Sequence, residues 1–176
     1  DDGMSFHELG LAYARKIHDE QITCDVLFGP AYKGIPIAVS TAIGLKGFGR
    51  NVSVAYNRKE AKDHGEGGRL IGAKLEGKVL LIDDVLTSGK AIKESAELIL
   101  EAGASIEGVV IALDRKERTK SEKSAVMELR EELGAPVHGL ASIDDVIGYL
   151  QDKKSADGYE LILEKMIEYR SNFCVD

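Results

Sequence analysis

Val79-Leu80-Leu81-Ile82-Asp83-Asp84-Val85-Leu86-Thr87-Ser88-Gly89-Lys90-Ala91-Ile92 is an apolar, partly branched run that ends in two adjacent carboxylates, then a short hydroxyl-and-glycine turn. The apolar run reads as a strand buried on both faces, the habit of a parallel sheet. The helical pattern that opens at Ala91 makes the segment a strand–turn–helix unit. The carboxylates therefore fall at the carboxyl end of a strand, where open α/β sheets bind ligands.

Outward from this unit, strands and helices alternate. Ser5-Phe6-His7-Glu8 has the form of a capping box and opens a helix with apolar positions Leu9, Ala12, Tyr13 and Ile17. Strands are predicted over 25–28, 51–56, 78–82, 107–113 and 137–141. Helices are predicted over 35–45, 91–101, 122–133, 143–150 and 159–169. Gly103 and Gly134 stand where helices end. This order predicts a doubly wound α/β fold, with a mainly parallel five-stranded sheet and flanking helices. Residues 57–74 lose apolar periodicity, fill with charge and glycine, and read as a long mobile lid loop. No internal repeat or linker divides the chain, so residues 1–176 read as one domain.

At 176 residues, 44% hydrophobic and 30% charged, the chain has the make-up of a globular protein with a real core. No apolar run approaches the roughly 20 residues of a membrane helix, and no signal-peptide pattern opens the sequence. A net charge of −7 argues against broad nucleic-acid binding, while local basic clusters still suit small anions. Cys24 and Cys174 are the only cysteines and form no CxxC, which suits free thiols in a reducing compartment.

Four segments carry candidate chemistry. In the first, Asp83 and Asp84 alone read as a polar strand end. Joined to Thr87-Ser88-Gly89 and a helix N-terminus they make a diol-binding pair beside an anion cradle, which suits a phosphorylated ribose. A receiver domain also places acids at strand ends but needs no phosphate-type turn. A Walker A loop is excluded, because Gly89-Lys90 lacks the upstream glycine and the following Ser or Thr. The second is Gly29-Pro30-Ala31-Tyr32-Lys33-Gly34, a strand-to-helix turn whose lysine either is solvated or holds a second phosphate group. The third, Asn57 to Arg69, either is an exposed loop or closes cations over an anionic reacting group. The fourth is Asp114-Arg115-Lys116-Glu117-Arg118, where Arg115 offers a planar donor fork suited to a carboxylate or a pyrimidine edge. His7, His18 and His138 fall in helix or strand patterns, and no spacing fits a zinc site.

Taken together, these segments resemble the type I phosphoribosyltransferases and, within them, the orotate phosphoribosyltransferase family. The acidic-pair run is similar to the signature for phosphoribosyl pyrophosphate (PRPP). Tyr56-Asn57-Arg58-Lys59-Glu60-Ala61-Lys62-Asp63-His64-Gly65-Glu66-Gly67-Gly68 resembles the orotate enzymes' catalytic loop, and Leu113-Asp114-Arg115 also agrees. The resemblance implies transfer of phosphoribosyl from PRPP to orotate. A PRPP-binding regulator without catalysis, or transfer to another base, is the alternative.

The same resemblance implies a set of roles. Asp83 and Asp84 would hold the ribose hydroxyls, Thr87, Ser88, Gly89, Lys90 and Ala91 would cradle the 5′-phosphate, and Val85 and Leu86 would also bind PRPP. Tyr32 and Lys33 would contact the pyrophosphate. Arg58, Lys59, Lys62 and His64 would close on it across a dimer interface, with Lys62 catalytic alongside the two aspartates. Thr87 and Arg115 would recognise orotate. Mg²⁺ would bind through PRPP oxygens and water near Asp83 and Asp84. A cytoplasmic homodimer acting on small molecules, with no nucleic-acid or membrane partner, is also implied. Two departures stand out. The family's N-terminal segment, with a lysine and an aromatic pair, is expected not to be represented in a sequence that opens at Asp1. Lys90 occupies a place where a small hydroxyl residue is common.

Overall fold

The computed structural model describes residues 2–59, 69–153 and 158–175. Among the described residues, six strands form one sheet in the order β3-β2-β1-β4-β5-β6. They are β1 (Val26–Gly29), β2 (Ser53–Asn57), β3 (Leu70–Gly72), β4 (Lys78–Val85), β5 (Ser105–Asp114) and β6 (Val137–Ser142). The helices are α1 (Gly3–Asp19), α2 (Gly34–Leu45), α3 (Lys90–Glu101), α4 (Ala125–Leu133), α5 (Ile143–Asp152) and α6 (Tyr159–Phe173). All neighbouring pairs are parallel except β2 with β3.

The mainly parallel α/β architecture is the one the sequence predicts. The sheet has one strand more than expected, because β3 lies inside the stretch read as a lid. It pairs antiparallel with β2 through Tyr56↔Ile71 and Asn57↔Leu70. The supposed loop thus begins and ends in a hairpin stem.

Successive strand residues serve opposite layers, as the pleat requires. Val26, Phe28, Val79, Leu81, Val109 and Ile111 pack with Ile92 and Ile99 of α3 and with Val126 and Leu129 of α4. Leu27, Leu80, Ile82 and Val110 pack with Tyr13, Ala14 and Ile17 of α1 and with Ile37, Ala38 and Leu45 of α2. Both faces of β4 are therefore covered, which explains its unbroken apolar run.

Two helix starts differ from expectation. The cap of α1 is Asp2, whose Oδ1 accepts the Ser5 N–H at 2.8 Å, and not Ser5 itself. Asp caps as well as Ser does, so the helix begins one turn earlier. α4 begins at Ala125 with Ser124 as its cap, because Glu122 adopts a left-handed backbone (φ 64°) that cannot open a helix. The capping box expected at the first helix occurs instead at α5, between Ser142 and Asp145. No helix among the described residues is long and apolar enough to cross a membrane.

Candidate active site

The site is set by where pairing stops. β4 pairs with β1 only as far as Phe28↔Leu81, yet it continues along β5 to Val85↔Leu113. Beyond Leu81 the β1 side of the strand is open. The chain leaves β1 toward β2 on one side and leaves β4 toward β5 on the other, so this gap is the topological switch point of the sheet. Asp83, Asp84 and Val85 stand along it, half-buried after four fully buried residues.

The gap opens into a cavity of about 790 Å³. It is walled by Pro30 to Lys33 after β1, by Asn57 and Lys59 after β2, by Arg69 before β3, and by Asp83 through Ile92 with Glu94. Tyr32, Lys33, Lys59, Asp83, Asp84 and every residue from Val85 to Ala91 are thus brought to one space. Arg58 is half-buried, and its backbone N–H donates to Arg69 O across the hairpin stem at 2.7 Å. Lys62 and His64 lie outside the described residues.

The loop after β1 is shaped by close backbone approach. A Cβ on Gly29 would meet the Gly34 carbonyl oxygen at 2.3 Å, so only glycine fits there. The Ala31–Tyr32 peptide is cis. The Ala31 N–H donates to Oδ1 of the buried Asn57 at 2.9 Å, and the Lys59 ammonium lies 4.9 Å above the Tyr32 ring. Both contacts tie this loop to the end of β2.

The turn after β4 presents hydroxyls and amides. Gly89 takes a left-handed conformation (φ 66°) and opens the twelve-residue α3 without a side chain of its own to cap it, while Ser88 Oγ accepts the Lys90 N–H at 3.4 Å. Helix N–H groups of this kind, with the helix dipole behind them, bind anions. Thr87, Ser88 and Lys90 are exposed beside them.

The two carboxylates differ electrostatically. Burial pushes Asp83 up to about 6, and the neighbouring Asp84 charge adds to this, although the Asp84 N–H at 3.0 Å favours its ionised form. Burial also works to raise Asp84, but the Lys33 ammonium, 2.7 Å from its Oδ2, brings it below the ordinary aspartate value. The same contact raises Lys33. From the opposite face, the buried Tyr13 hydroxyl donates to the Asp83 carbonyl oxygen at 2.6 Å. Burial and the two aspartates push that phenol well up, so it stays a donor. Asn57 and Arg69 bound the third candidate segment but were given no role of their own, and Tyr13 was not singled out at all.

Arg115 stands apart from the large cavity. Its Nη2 donates to the Leu86 carbonyl at 3.3 Å and pairs with Glu117 at 2.9 Å, lining a small crevice that shares Leu86 with the cavity wall. Its Nε is buried without a hydrogen-bond partner. The donor set for a metal is oxygen only. Asp83 and Asp84 offer hard carboxylates of the kind Mg²⁺ accepts, and no cluster of three or more acidic, His or Cys residues occurs among the described residues. The residues fit a cation held jointly with a ligand's own oxygens.

Comparison with known proteins agrees with this geometry. The family model for the phosphoribosyl transferase domain matches residues 3–138. An orotate phosphoribosyltransferase of Thiobacillus denitrificans is 48% identical over 174 residues, covering 99% of this chain and 81% of that protein. One from Chromobacterium violaceum is 49% identical over 175 residues, covering 99% and 80%. The crystal structure of orotate phosphoribosyltransferase from Francisella tularensis superposes with a TM-score of 0.83 at 31% identity, over 99% of this chain and 83% of that one. The cleft at the switch point and the near-full-length likeness lead to one conclusion: the chain belongs to the orotate phosphoribosyltransferases.

Proposed function

We propose that this chain transfers the phosphoribosyl group of PRPP to orotate, giving orotidine 5′-monophosphate and pyrophosphate for pyrimidine nucleotide synthesis. The observation that carries this reading is the meeting of the Asp83–Asp84 pair and the Thr87–Ala91 turn in one cavity of a chain from this family. The pair has the chemistry to accept hydrogen bonds from neighbouring ribose hydroxyls. The turn and the α3 N-terminus supply N–H and O–H donors to the 5′-phosphate. Tyr32 and Lys33, across the cavity, would contact the pyrophosphate.

As pyrophosphate departs, positive charge develops at the ribose C1 and negative charge on the leaving group. Groups that hold this anion more tightly in the transition state than in the ground state accelerate the step. Lys62 is assigned this role, with Arg58, Lys59 and His64 around the same anion. Mg²⁺, held by PRPP oxygens, water and the aspartate pair, would neutralise pyrophosphate charge. Thr87 and Arg115 are assigned to orotate. We further place the enzyme in the cytoplasm as a homodimer whose subunits share active sites. Its two free thiols suit a reducing compartment.

An absorbance assay of orotate consumption in the presence of PRPP and Mg²⁺, run beside a panel of other bases, tests the reading. Orotate-dependent turnover supports it. Turnover of another base alone, or PRPP binding without turnover, replaces it with one of the two alternatives.

A further inference from the structure

Arg115 directly follows β5, and its position does not depend on that strand alone. The segment from Arg115 to Arg118 is fastened to the end of α6 by a short antiparallel pairing. The Arg118 N–H donates to the Phe173 carbonyl at 2.7 Å, and the Val175 N–H donates to the Lys116 carbonyl at 2.9 Å. The Cys174 thiol donates to the Arg115 carbonyl at 3.2 Å, and Arg118 Nη2 reaches the Cys174 carbonyl at 3.0 Å. Asp144 of α5 links Lys116 and Arg170. Within this frame one carboxylate touches the Arg115 side chain. Glu117 Oε2 takes Arg115 Nη2, while its Oε1 accepts the Tyr169 hydroxyl of α6.

We infer that Glu117, held by Tyr169, is a positioning residue that fixes the Arg115 guanidinium beside Leu86, where the small crevice meets the wall of the large cavity. The inference rests on the assignment of Arg115 to orotate. A guanidinium is a planar fork whose value in recognising a carboxylate depends on its plane. Glu117 and the Leu86 carbonyl both use Nη2, which fixes that plane; with Nε buried, Nη1 is the nitrogen left to a ligand. Half-buried, with side chains each 32% exposed, Arg115 and Glu117 are shielded enough for the pairing to hold an orientation. The Glu117 hydrogen bond pushes the Tyr169 phenol up to about 12, so it donates throughout the neutral range. The Tyr169 ring also packs against Phe173, tilted with centroids 5.2 Å apart, so replacing it with Phe removes the hydroxyl and keeps the ring contact.

Steady-state kinetics of Tyr169→Phe, Arg115→Ala and the double variant test this. Tyr169→Phe raises the KM for orotate about tenfold, the scale of a lost hydrogen bond to a charged group, with the KM for PRPP unchanged. In the Arg115→Ala background the same change has no further effect on orotate, because the hydroxyl acts through Arg115. Glu117→Gln, which preserves volume, shifts orotate KM in the same direction by less. A Tyr169→Phe effect that falls equally on both substrates, or that persists without Arg115, overturns the positioning role. Arg115→Ala with an ordinary orotate KM overturns the assignment of Arg115 itself, and the positioning role with it.

Discussion

Lys33 Nζ lies 2.7 Å from Oδ2 of Asp84, so the loop after β1 and the end of β4 are joined by an ion pair across the mouth of the cleft. The pair is open to water on the lysine side, whose side chain is 73% exposed, and contributes little to stability. Its importance is electrostatic and local. It keeps Asp84 ionised, and it occupies an oxygen that the proposed reading gives to a ribose hydroxyl.

Lys33→Ala should therefore raise the KM for PRPP and leave that for orotate nearly unchanged. Asp84 is held down by Lys33, and Lys33 also favours the charged form of Asp83. Removing it moves both carboxylates upward. The acid limb of kcat/KM for PRPP should shift to higher pH, which a pH–rate profile measures. A limb that stays in place separates Lys33 from the acidic pair.

Asp83 yields a stability prediction. Its folded value, about 6, lies above the ordinary 3.8, so the unfolded chain ionises first and wild type loses stability as pH rises from about 4 to about 6. Asp83→Asn escapes this loss. Thermal melts should show the variant more stable at pH 7 by about 1 kcal/mol, or roughly 2–4 °C, after allowance for partial solvent exposure. The difference should vanish near pH 4, and PRPP binding should be lost at every pH.

Tyr13→Phe keeps a fully buried ring and deletes the donor to the Asp83 carbonyl. An oxygen left without that partner costs about 1–3 kcal/mol. The melting temperature should fall and the KM for PRPP should rise, while orotate KM stays constant. Unchanged PRPP kinetics would show that the α1 contact supports the core alone.

Lys62→Ala should cut kcat by about 10²–10³ and leave the KM for PRPP nearly as it was, the pattern for an interaction made only in the transition state. Single-turnover measurements separate this from slow product release. A kcat near wild type would remove Lys62 from the chemistry.

How much of this was legible in the sequence depended on range. β4 was readable because a strand buried on both faces writes its state into every residue from Val79 to Ile82. The cradle was readable because Thr87 to Ala91 follow the strand directly. β3 was not readable, since three residues with one half-buried position establish no period. Tyr13 fitted the apolar stripe of α1, and nothing local reveals that its hydroxyl serves a carbonyl 70 residues away. Asn57 and the Glu117–Tyr169 contact were hidden for the same reason, because their partners are brought close by the fold. Arg115 was readable as a donor fork at a strand end, but not as one already engaged by Leu86 and Glu117.

In the proposed reaction the donor's sugar and its phosphate are gripped side by side where β4 runs into α3. A crystal structure with PRPP and Mg²⁺ bound measures this directly. The ribose 2′ and 3′ oxygens should lie within hydrogen-bonding distance of Asp83 and Asp84, and the 5′-phosphate on the amides and hydroxyls of residues 87–91. PRPP seated elsewhere, with both carboxylates turned to bulk solvent, would contradict it.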